Sequence, residues 1–171
     1  MTVTTDITSN TEIEDRTSNA PGPISTTFMK LLTSFDIFLR KLLHHEATSP
    51  VETLPDTQAV LATQERLIEA SFDVLLSYPE TGADRQLLRL AHLLIKLFEM
   101  KDHRTQQILF AQTVKHRDIF TMTGFSNPSG HLDEMLFAFF DKFDALSASR
   151  AFGGAGLEYP QSTSFPELIP A

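Results

Sequence analysis

The segment from Asp84 to Met100, DRQLLRLAHLLIKLFEM, decides how the rest of the chain is read. Its polar residues Arg85, Arg89, His92, Lys96 and Glu99 are spaced alternately four and three apart, which stacks them on one edge of a helix. Nearly every other position is Leu, Ile, Phe or Ala. A helix with so narrow a polar edge is covered by other elements over most of its circumference. The segment therefore predicts a central helix, capped by Asp84, in an all-α domain.

Upstream, a helix is expected from Asp56, as its cap, to about Ser77. Val60, Leu67, Ile68, Ser71, Phe72 and Leu75 form its interior side, and Glu65, Arg66, Glu69 and Asp73 its wet side. Pro79 and Gly82 end it, and the short connection to Asp84 makes the two helices antiparallel neighbours. Glu46 to Pro55 reads as a linker with proline near its end. A first helix is expected to start near Ser25 or Thr26. It places Phe28, Leu31, Leu32, Phe35, Phe38, Leu39, Leu42 and Leu43 on one face, opposite Lys30, Ser34 and Lys41.

Downstream, Lys101 to Arg104 is a polar break, and 103–121 is helical in composition. Ile108 and Ile119 agree on a face there, while Phe110 and Val114 leave it. Gly124 to Gly130 is a turn region. The last helix, His131 to Arg150, carries a stripe of Leu132, Met135, Leu136, Phe139, Phe140, Phe143 and Leu146. Phe137 falls off that stripe and is a candidate exposed aromatic. The expectation is an all-α bundle of about four to five helices over 25–151, with a disordered tail at 1–24 and a flexible tail at 152–171.

Composition narrows the function. The 171 residues are 42% apolar, enough for one core, and fourteen Phe against two Tyr and no Trp make that core phenylalanine-rich. A net charge of −8 argues against this chain alone gripping nucleic acid or an anionic membrane surface. The absence of cysteine removes disulfides, thiolate zinc sites and a cysteine nucleophile. Met1 to Arg16 has neither the basic start nor the apolar run of a secretory signal, and His92 and Lys96 interrupt the one long apolar stretch. An intracellular protein is expected.

No chemistry-bearing constellation emerges. His44 and His45 are adjacent, and neighbours on a helix point about 100° apart, too far to share one ion. His92, His103 and His116 never pair at i, i+4. Gly153-Gly154-Ala155-Gly156 fails the spacing of a dinucleotide loop. No catalytic residue, metal ligand or cofactor is expected, and the chain is not read as an enzyme. Arg85, Arg89 and Lys96, as a small basic contact line, and Phe137 are the candidate interaction residues. Phe165-Pro166-Glu167-Leu168-Ile169 mixes acid with bulky apolar residues, as short docking motifs do. A second expectation is a small helical enzyme or ligand carrier with a pocket lined by Phe28, Phe35, Phe72, Phe98, Phe139 and Phe143.

From about Leu54 to Met100 the chain is similar to a known family. The pattern opens with Leu54-Pro55-Asp56-Thr57 and Val60-Leu61-Ala62-Thr63-Gln64. It continues with Leu75-Leu76-Ser77-Tyr78, Asp84, Leu87-Leu88 and Leu93-Leu94-Ile95-Lys96-Leu97. It resembles the C-terminal regulatory region of fungal zinc binuclear cluster transcription factors, the aflatoxin-regulatory group that controls secondary-metabolite genes. Tyr78 and Glu80 stand near the places of two family cysteines, and Met100-Lys101 stands where that family has Trp-Tyr. The cysteine-rich DNA-binding cluster is absent from these residues. The resemblance implies a nuclear or cytoplasmic regulatory module that binds a protein partner, the transcription machinery or another regulator. It implies no direct binding of nucleic acid or membrane.

Overall fold

The computed structural model describes residues 23–48, 54–121 and 130–152. They form an all-α bundle. Its helices are α1 (Pro23–Thr48), α2 (Leu54–Leu75), α3 (Gly82–Glu99), α4 (His103–Lys115), the single turn α5 (Asp118–Thr121) and α6 (Gly130–Ala148). A 3₁₀ turn, Arg150–Phe152, follows. The two expected tails and most of the 124–130 turn lie outside the described residues.

Several helix starts differ from expectation for reasons of capping. Pro23 opens α1, so Ser25 and Thr26 lie inside the helix. A first-turn proline has no N–H to leave unpaired and its φ is already helical. α1 also runs through Glu46 to Thr48, and α2 begins at Leu54, so the linker is shorter than read and Asp56 lies within the first turn instead of capping it. Thr81, not Asp84, caps α3. Its hydroxyl accepts from the Asp84 N–H at 3.1 Å, while Asp84 Oδ2 accepts from the Thr81 N–H at 2.8 Å. This is a reciprocal capping box with Asp84 as the third helical residue.

The expected 103–121 helix is broken at His116–Arg117 into α4 and α5. Asp102 caps α4, accepting from the Thr105 hydroxyl at 2.6 Å and its N–H at 3.0 Å. These bonds, the hydroxyl's first, hold the Asp102 carboxyl below its ordinary range. The buried Gln106 amide donates to the Leu97 and Met100 carbonyls at 3.3 and 2.9 Å, which ties the start of α4 to the end of α3.

Side-chain contacts give the topology. Thr27 meets Ser77 at one end of α1, and His45 meets Thr57 at the other, so α1 and α2 are antiparallel. α3 returns beside α2, and its end reaches the second half of α1 through Phe38 and Phe98, with centroids 5.6 Å apart. α6 runs parallel to α1: Phe28 meets Phe139, Asp36 meets Lys142, and Glu46 accepts from the Ala151 N–H.

The interior is built from these faces. In α1, Phe28, Leu31, Leu32, Phe35, Phe38, Leu39 and Leu42 are buried as read, whereas Leu43, at the edge of that stripe, is exposed. All seven stripe residues of α6 are buried. Among the described residues, ten phenylalanines form one connected set of ring contacts. Phe139 is its hub, touching Phe28, Phe35, Phe140 and Phe143 at 5.6 to 6.1 Å. From Phe143 the contacts pass through Phe110, Phe152 and Phe98 to Phe38, and from Phe140 to Phe120. Phe152, assigned by sequence to the tail, is thus a core residue. The offset and edge-on ring geometry adds a specific attraction to the burial of area.

Candidate interaction surface

The polar edge read on α3 is in water: Arg85, Arg89, His92, Lys96 and Glu99 are all exposed. As a basic contact line it is compensated in charge at Lys96 alone of its three cations among the described residues. Lys96 Nζ lies 2.7 Å from Glu99 Oε2, and Arg89 Nη1 lies 3.4 Å from Gln86 Oε1. Phe137 projects from α6 with 77% of its surface exposed. Asp133 and Asp141, one turn to either side, are exposed with it. Arg85, Arg89 and Lys96 therefore share one helix edge, and Phe137 stands on another helix. α3 and α6 are not among the closely packed pairs of the described residues.

A larger apolar surface lies on α2 and the turn that follows it. Phe72, expected in the interior, is 48% exposed, and Leu61, Leu76 and Tyr78 are 51%, 84% and 82% exposed. Ile68 is half-buried beside them. Among the described side chains of this helix, the buried ones are Thr63, Leu67, Ser71 and Val74. The two hydroxyls can enter the interior because they bond back to their own helix. Ser71 donates to the Leu67 carbonyl at 2.8 Å, and Thr63 to that of Val60 at 2.8 Å. Turning Thr63 and Ser71 inward turns Leu61, Phe72 and Leu76 outward. Scattered exposed apolar residues are ordinary, but several at helical spacing on one face make a candidate interaction surface.

Beside that patch runs a row of acids. Glu65, Glu69 and Asp73 follow one another at i, i+4 spacing, and all three are exposed. Among the described residues the ion pairs are Asp36–Arg40, Asp36–Lys142, Lys96–Glu99, Arg117–Asp144 and His131–Glu134, none of which includes them. Each like-charged i, i+4 pair works against helix formation by roughly 0.2–0.5 kcal/mol. The clue in the sequence was an excess: α2 carries more large apolar residues than one interior stripe can hold.

The cavity expectation does not hold at Phe72, which is on the surface. Phe28, Phe35, Phe139 and Phe143 are in ring contact with one another through Phe139. Among the described residues no group of three or more His, Asp or Glu is arranged to hold a metal ion, and no helix is long and apolar enough to cross a membrane.

Fold and surface together define an all-α domain with an apolar, acid-flanked outer face on one helix. No protein-family model, no curated protein and no solved structure matches the chain.

Proposed function

We propose that this chain is a regulatory, protein-interaction domain, related to the regulatory region of fungal transcription regulators of secondary-metabolite genes. It works in the nucleus or cytoplasm by contact with the transcription machinery or another regulator, and carries out no reaction. One observation supports the reading above the others. The stretch that resembles the family, Leu54 to Met100, is the stretch whose first helix and following turn present Leu61, Phe72 and Leu76 to solvent.

The test is a reporter assay in a filamentous fungus. The full chain is fused to an unrelated DNA-binding domain and placed upstream of a reporter gene. Tethering is expected to change reporter output several-fold, up or down. Output equal to that of the DNA-binding domain alone, at equal protein level, would remove the proposal.

A further inference from the structure

We infer that the outer face of α2 is a docking site for one kind of partner, a basic amphipathic helix that lies along it. The inference rests on the interaction reading above and names the partner's chemistry.

Two adjacent rows along α2 carry it, the apolar one ending on Leu76, one residue past the helix, whose N–H still bonds to the Phe72 carbonyl at 2.9 Å. Ile68, Phe72 and Leu76 succeed one another at four-residue spacing and make an apolar ridge. Glu65, Glu69 and Asp73 make a second ridge at the same spacing, each three residues before its apolar neighbour. Residues three apart lie side by side on a helix, so ridge and acids run together along the surface. Leu61 extends the apolar row toward the start of the helix. From Leu61 to Leu76 the face spans about 22 Å at 1.5 Å per residue, which a partner helix of about fifteen residues covers.

Two physical requirements set the occupant. The apolar ridge, with one large side chain per turn, receives side chains from a facing helix whose own ridges repeat at the same interval. The three carboxylates lose water as that partner seats, so each needs a positive group, and Arg66 lies beyond the acidic row, away from the ridge. The occupant therefore presents Lys or Arg beside its apolar stripe. A second copy of this chain would bring the same acids against themselves, and a polyanion would be repelled.

The experiment selects partners by chemistry. A displayed library of helical peptides, about twenty residues long and randomised on one face, is enriched against the full chain. The enriched peptides are then measured against two variants of the full chain. One is Glu65→Lys/Glu69→Lys/Asp73→Lys, and the other is Leu76→Ser, at a position so exposed that the fold is indifferent to it. Enriched peptides are expected to be cationic and apolar at i, i+4, i+7 spacing. They should bind at least about tenfold more weakly to each variant, and weaken as salt rises. Enrichment of neutral or acidic peptides, no enrichment, or binding within about twofold on both variants would overturn the proposal. So would sedimentation showing a dimer that Leu76→Ser dissolves. The reporter result is separate. If tethered output is retained by the charge-reversed variant, this docking site fails and the regulatory reading stands. If peptides bind as expected but tethering is silent, the regulatory reading fails and the docking site stands.

Discussion

Lys142 of α6 donates to the Asp36 carboxylate of α1 at 3.1 Å, across 106 positions of sequence. Arg40, one turn further along α1, reaches the same carboxylate. The Lys142 hydrogen bond is the largest cause of the lowered Asp36 pKa, with the Lys142 and Arg40 charges adding to it against the cost of burial. A carboxyl with a lower pKa folded than unfolded contributes stability at pH above its unfolded value, about 3.9. That contribution is lost as pH falls through the folded value. Asp36→Asn should cost about 0.5–1.5 kcal/mol at pH 7, a modest figure because the pair is partly solvated. The gap from wild type should close as pH falls from 7 to below the folded value. Urea unfolding at both pH values checks it.

Two phenylalanines two residues apart should behave oppositely. Phe139 is fully buried at the hub of the ring contacts, whereas Phe137 faces water. Phe139→Ala leaves a cavity among Phe28, Phe35 and Phe143, and should cost about 3–5 kcal/mol. Phe137→Ala should change stability by less than about 0.5 kcal/mol. Equilibrium unfolding of the two variants measures the contrast.

Thr81 and Asp84 should act as a unit. Thr81→Ala removes the acceptor for the Asp84 N–H and should cost about 0.5–2 kcal/mol. Asp84→Ala removes the return bond to the Thr81 N–H. The double variant should be less destabilised than the sum of the singles, because each single already breaks the reciprocal pair. A double-mutant cycle by thermal or urea unfolding gives the coupling.

The parts of the fold legible in the sequence are those where apolar spacing and burial coincide. α1, α3 and α6 each have one apolar side, and a 3.6-residue period finds it. α2 defeated that logic. Its apolar residues cover most of its circumference, so period alone could not choose the inner side, and Phe72 was placed inside. The choice was made by Thr63 and Ser71, small hydroxyls that satisfy themselves on preceding carbonyls. α4 failed in the reverse way. Its buried residues are Gln106, Phe110 and Thr113, two of them polar, while Ile108, Val114 and, in α5, Ile119 are exposed. No apolar pattern existed there to be read. The α3 edge and Phe137 lie in water, while the broader apolar face of α2 escapes a reading by period for the same reason as its register.

A helix begun at residue 23 meets α6 only after residue 130. During synthesis, Phe28 and Phe35 must wait, uncovered by Phe139, until nearly all of the described chain has been made. Such late closure slows folding and leaves greasy surface open to wrong neighbours in the meantime. A nascent chain stopped short of its final helix is a client for chaperones rather than a smaller version of the protein.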